Sequence, residues 1–177
     1  MSVKRKIAIL LMTGICLMNT VPCFASQSSM VSVSNSEEAQ YTTLPDADTL
    51  QKDVGFRPKA PETLAGGYQF NSGHITELFD LDTNGAQINK HKGVNFQYIK
   101  KDNNTIKSVS LSAEPASGQS LSKDTTVIKY GEIDMYYDTA QANSLSWING
   151  DVCYILMDIN KNVSKNELVA MAEDMID

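Results

Sequence analysis

Leu145-Ser146-Trp147-Ile148-Asn149-Gly150-Asp151-Val152-Cys153-Tyr154-Ile155-Leu156-Met157 carries two β-rich runs on either side of Asn149-Gly150. Asn-Gly tolerates the positive φ angles of a type I′ turn, whose twist matches paired antiparallel strands, so the stretch reads as a hairpin. The second run, Val152 to Met157, is apolar on both strand faces, which predicts a central position in a sheet.

Downstream, the chain ends in a helix with a full start signature. Ser164 is the expected N-cap, and Glu167 completes a capping box in which each residue satisfies a backbone N–H of the other. Val163 and Leu168 occupy the two positions of a hydrophobic staple. Leu168, Met171, Ala172 and Met175 then repeat at helical spacing and form one apolar stripe. The sheet face is the surface available to cover that stripe. Glu173 and Asp174 read as a solvated pair, although they oppose the helix dipole there.

Upstream, apolar residues alternate with polar ones in the period of strands. Tyr68 and Phe70 do so, then Val94, Phe96 and Tyr98, then Val109 and Leu111 after the polar turn at 101–104. Residues 114–124 read as a loop, followed by β-rich runs at 125–130 and 133–137 that break at Gly131. Before the strands, Asp46 or Asp48 is placed to cap a short helix ending at Gly55, and Pro58 and Pro61 hold the next segment extended. The fold predicted is α+β: a largely antiparallel meander with the C-terminal helix packed on one face and a short N-terminal helix. One domain spans 44–177, preceded by a Ser-rich leader at 26–43 that reads as flexible.

A family resemblance follows from the two ends of that domain. Phe56-Arg57-Pro58, Pro61-Glu62-Thr63-Leu64 and Gly67-Tyr68-Gln69-Phe70 resemble the opening pattern of a bacterial extracytoplasmic domain family of unknown function. The tryptophan-bearing and tyrosine-bearing strands and the helix from Ser164 resemble its close. Ala65-Gly66-Gly67 departs slightly from the usual turn of that family. The likeness covers about residues 45–177. Such domains occur in secreted proteins and on anti-sigma-factor-like membrane proteins, mostly of Gram-positive bacteria. The resemblance implies fold and compartment and supplies no active site.

The N-terminus points to the same compartment. Lys4, Arg5 and Lys6 precede an apolar run from Ile7 to Met18, too short to span a bilayer, and Cys23-Phe24-Ala25 ends as a cleavage site. A secretion signal is therefore expected at 1–25, with cleavage between Ala25 and Ser26, against the alternative of a retained anchor. Lipidation calls for a small residue before the cysteine, whereas Ile15 precedes Cys16 and Pro22 precedes Cys23. Cleavage removes three of 15 basic residues and none of 21 acids, leaving a net charge near −9. Such a surface disfavours nucleic-acid and anionic-lipid partners. Cys153 then remains alone, and its apolar neighbours give it the character of a small buried residue.

Candidates for chemistry are few. Asp80-Leu81-Asp82-Thr83-Asn84-Gly85 matches the first half of a calcium-binding loop, but His91 stands where the bidentate acid belongs, so a polar turn is expected. His74 and His91 lack ligand partners at zinc spacing. No catalytic residue, metal ligand or cofactor site is expected. Asp134, Asp138, Asp151 and Asp158 leave open a secreted hydrolase with paired carboxylates in a sheet cleft. Tyr130, Tyr136, Tyr137, Trp147 and Tyr154 fall in the C-terminal strands and form the candidate contact surface for a protein or peptide. The leading expectation is a non-catalytic binding or regulatory module, with an envelope structural role as a further alternative.

Overall fold

The computed structural model describes residues 29–33, 41–81, 84–102, 105–116 and 125–177. The expected secretion signal and its cleavage site at Ala25-Ser26 lie outside these residues. The architecture is α+β, a curled antiparallel sheet with two helices. In chain order the elements are β1 (Ser29–Val33), α1 (Ala47–Val54), β2 (Thr63–Leu64), β3 (Tyr68–Leu81), β4 (Gln87–Asp102) and β5 (Thr105–Pro115). There follow β6 (Thr126–Tyr130), β7 (Ile133–Asp138), β8 (Asn143–Asn149), β9 (Val152–Asp158) and α2 (Lys165–Ile176).

The sheet order is β1-β3-β4-β5-β9-β8-β7-β6, with β2 also paired to β3. It comprises two meanders, β3-β4-β5 and β6-β7-β8-β9, joined where β5 pairs with β9. The apolar β9 accounts for the join: it needs a strand on each side, and β5 covers the edge that β8 leaves. β1 falls inside the stretch expected to be a flexible leader, and pairs with Glu77 to Leu81 of β3. Its sequence, Ser-Met-Val-Ser-Val, has β-branched Val31 and Val33 two positions apart around Ser32, in the period of a strand. Tyr41 bridges to Gly73 on the same edge of β3, so this part of the leader is structured.

The defining hairpin forms with its turn shifted by one residue. Asn149 pairs with Val152, leaving Gly150-Asp151 as the loop, with Gly150 at φ 63°. Glycine first in a two-residue loop is the placement of a type II′ turn. This register sets Trp147 opposite Tyr154 and Leu145 opposite Leu156, and the Trp147 and Tyr154 rings stack with centroids 5.2 Å apart.

One core lies between the sheet and its helices. Val94, Phe96 and Tyr98 of β4, Val109, Leu111 and Ala113 of β5, and Val152, Tyr154 and Leu156 of β9 share a face. Leu168, Met171, Ala172 and Met175 of α2 close over it, as their spacing predicts. Each large side chain so buried contributes about 1.5–3 kcal/mol. Ser164 and Glu167 make the reciprocal capping box, and Val163 and Leu168 are fully buried beside it. Asp46, rather than Asp48, caps α1, which ends at Gly55 with φ 89°. Lys59 Nζ reaches the Asp174 carbonyl and Tyr130 OH donates to the Asp177 carboxylate, so external groups meet the acidic end of α2. Among the described residues no helix is long and apolar enough to cross a membrane.

Candidate functional site

Strand alternation divides the five expected contact residues between two faces. Trp147 (1 % exposed) and Tyr154 (5 % exposed) sit in the core beneath the helices. The Tyr154 hydroxyl accepts a hydrogen bond from the Lys59 backbone N–H at 2.8 Å, which ties the extended segment after α1 to the sheet. Tyr130 and Tyr137 lie on the same face, partly buried against the core, with Lys165 Nζ 5.4 Å from the Tyr137 ring centre. Only Tyr136 of this set faces the other way, opposite Ser146 in β8 and Val127 in β6. The expected aromatic contact surface is therefore not assembled, because the register that stacks Trp147 on Tyr154 turns four of the five toward the core.

The carboxylates also take structural roles. Asp158 is buried and accepts from the backbone N–H groups of Val163 at 2.6 Å and Asn160 at 3.0 Å, fixing the loop into α2. Asp134 pairs with Lys129 at 2.7 Å, Asp138 accepts from the Ala140 N–H, and Asp151 lies exposed at the β8–β9 turn. Each of Asp134, Asp138 and Asp158 is thus engaged with a partner other than a second carboxylate. Asp80, first in the calcium-like sequence, sits in β3 and accepts from Asn89 Nδ2 at 2.8 Å, while Asp82 and Thr83 lie outside the described residues. Among the described residues no group of three or more His, Cys, Asp or Glu side chains is arranged to hold a metal ion.

The face turned away from the helices has a different chemistry. Alternation places Ser110, Ser112 and Glu114 of β5 on it, with Asn95 and Gln97 of β4, His74 and Thr76 of β3, Ser144 and Ser146 of β8, and Cys153 of β9. Asn95 Nδ2 donates to Ser112 Oγ at 2.8 Å across the strands. Burial pushes the His74 ring down from its ordinary value. Ser146 is 1 % exposed, and its hydroxyl has no hydrogen-bond partner among the described residues. Glu114 is 8 % exposed, and burial raises its carboxyl to about 7, with the charge of a protonated His91 pulling the other way.

His91 lies near Glu114 and is half-buried. Its Nδ1 is 2.9 Å from the Asn89 carbonyl oxygen, so Nδ1 carries the hydrogen. In the neutral ring Nε2 is then a bare lone pair, and this atom is buried without a partner. The sequence pattern points to a loop at 114–124, whereas β5 runs on to Pro115 and carries Glu114 onto this face. The Val109-Leu111-Ala113 alternation was the available signal, since it continues to put Ser110, Ser112 and Glu114 on one side. A separate shallow cleft of about 360 Å³, lined by Gly67, Gln69, Phe70, Ile99, Lys100 and Lys101, lies at the other end of β3 and β4.

No protein-family model, curated protein or solved structure matches this chain.

Proposed function

We propose that this chain is an extracytoplasmic, non-catalytic binding module that engages a protein or peptide through the sheet face its helices leave open. One observation carries the reading: that face holds two of the three buried polar atoms that have no hydrogen-bond partner among the described residues, Ser146 Oγ and His91 Nε2, the third being Trp147 Nε1 in the core. A buried polar atom left unpaired costs about 1–3 kcal/mol, and a partner supplying the complementary groups removes that cost. The compartment rests on the basic and apolar segments of residues 4–18 and the small residues around Ala25-Ser26. The family resemblance of the Phe56 to Phe70 stretch points the same way. Of the aromatic residues first considered, Tyr136 is the one positioned to contribute.

The test is site-specific photo-crosslinking in envelope extract. A crosslinking residue replaces Gln97, half-buried on the open face, or Asn166, exposed on α2. An adduct enriched at position 97 and absent at 166 supports the proposal. Equal or absent crosslinking at the two positions would refute it.

A further inference from the structure

Glu114 and His91 meet where the sheet divides. The β4–β5 ladder ends at the pair Val94–Ala113, while β3–β4 pairing continues outward to Leu81–Gln87 and β5–β9 pairing to Pro115–Val152. Beyond Val94 and Ala113 the sheet is therefore two ribbons with a fork between them. Gly93 stands at the base of the fork. A Cβ there would lie 3.0 Å from the Ala113 carbonyl oxygen and 2.9 Å from Thr76 Oγ1, so only glycine lets the strands approach so closely before they part. Glu114 is the first residue of β5 past the last pair, and His91 is two residues past Gly93 on the same face of β4.

We infer that this fork binds a cationic hydrogen-bond donor, a guanidinium or ammonium group, between the Glu114 carboxylate and His91 Nε2. The inference rests on the reading of the open face as the binding face. Both groups are acceptors when Glu114 is ionised and the His91 ring is neutral, and among the described residues Nε2 has no donor. A guanidinium carries five N–H donors in a planar fork and so can serve two acceptors at once. The formal net charge of −6 favours a cation over an anion at this surface. The groups facing Glu114 allow it: His91 comes from β4 and the Cys153 thiol from β9, while β3 presents the uncharged Thr76 and Leu78. Asp151, exposed at the β8–β9 turn, adds negative charge nearby. Among the described residues of these strands no lysine or arginine is bonded to Glu114, and Lys92 turns to the other side and donates to the Asp53 carbonyl.

A carboxyl that burial pushes up to about 7 must ionise to hold a cation, so binding is coupled to proton release. The experiment is isothermal titration calorimetry of the full chain at pH 7 in two buffers of different ionisation enthalpy. The probes are methylguanidinium, a Gly-Gly-Arg-Gly-Gly peptide and the same peptide with citrulline in place of arginine. Binding of the arginine peptide, with or without methylguanidinium, and a measurable release of protons on binding are expected from a carboxyl pushed up to about 7. If methylguanidinium binds equally well, a small cation is a sufficient ligand; if only the peptide binds, the source is a basic side chain. Glu114→Gln is expected to weaken binding about tenfold or more and abolish the proton release. That variant removes a destabilising buried acid, so it is expected to fold at least as well as the parent. Equal binding by the citrulline peptide, unchanged binding in Glu114→Gln, heat independent of buffer, or no binding would each overturn the inference. Crosslinking at position 97 with failed calorimetry sinks this site alone, whereas failed crosslinking with successful calorimetry sinks the protein-binding reading alone.

Discussion

The two faces of the sheet are built from the same strands, one residue apart, and their chemistry is opposite. Along β8, Leu145 and Trp147 enter the core while Ser144 and Ser146 point away from it, all four buried. Along β5, Leu111 and Ala113 alternate with Ser112 and Glu114. The helix-covered face is filled by complementary apolar groups, so its residues stabilise the fold by leaving water. The open face carries hydroxyls, an imidazole and a carboxyl beside Ile155 and Met157, and among the described residues Ser146 Oγ and His91 Nε2 there are buried without a hydrogen-bond partner, as is Trp147 Nε1 on the covered face. The covered face accounts for why the domain folds and leaves one indole N–H orphaned, whereas the other face holds most of the buried polar groups that folding does not explain. That asymmetry is the argument for looking for function opposite the helices.

The comparison is broken most sharply at Trp147. Its indole is fully buried and stacked on Tyr154 at 5.2 Å, so Trp147→Ala opens a cavity under α2. A loss of about 3–5 kcal/mol is expected, read as a fall in the urea midpoint. A loss under about 1 kcal/mol would mean that the covered face is not packed as described.

Glu114 offers the opposite outcome. Its carboxyl titrates near 7 in the fold against the ordinary 4.5, so the folded state holds the proton more tightly than the unfolded chain. Stability from this group is fully present below 4.5 and declines as pH rises to about 7. The shift corresponds to about 3 kcal/mol in total. Glu114→Gln keeps the shape and cannot ionise. Subtracting its stability curve from the parent's is therefore expected to show a gain for the variant that grows by about 3 kcal/mol between pH 4 and 8. Working with the difference cancels acids such as Glu167, whose carboxyl is held below its ordinary value by the Ser164 N–H and which stabilises in the opposite pH direction. A flat difference curve would mean that Glu114 is solvated and the open face is not costly.

The covered face was largely legible in the sequence, and the open face was not. Leu168, Met171, Ala172 and Met175 announce their burial by spacing, and Ser164 and Glu167 mark the helix start without any tertiary information. Val152 to Met157 likewise declares its central place. What the sequence does not contain is the register. Asn149-Gly150 points to a turn, but the turn forms at Gly150-Asp151 because that pairing stacks Trp147 on Tyr154. The same register sends the aromatic residues toward the core and removes them as a shared contact surface. The Glu114–His91 fork depends on two strands 23 positions apart in sequence and on where their pairing stops. No local pattern encodes a pairing that stops, so a serine, a glutamate and a histidine in isolation look like ordinary polar positions.

The smallest test uses one substitution at two places. Ser→Ala removes the same hydroxyl at position 146, on the open face, and at position 164, in the helix layer. Ser164 Oγ accepts from the Glu167 N–H at 3.3 Å and donates to its carboxylate at 2.8 Å, so Ser164→Ala loses a capping box and is expected to cost about 1 kcal/mol. Ser146 Oγ is buried and has no partner among the described residues, so Ser146→Ala deletes a desolvated hydroxyl without breaking a bond they make. Its expected effect is a gain of about 1 kcal/mol, visible as a raised thermal midpoint with Ser164→Ala as the control of opposite sign. The two effects are small, yet their signs carry the information. A loss at position 146 as large as at 164 would show that the Ser146 hydroxyl already has a partner in the free protein. The open face would then be internally satisfied, and the reason for assigning it a ligand would weaken accordingly.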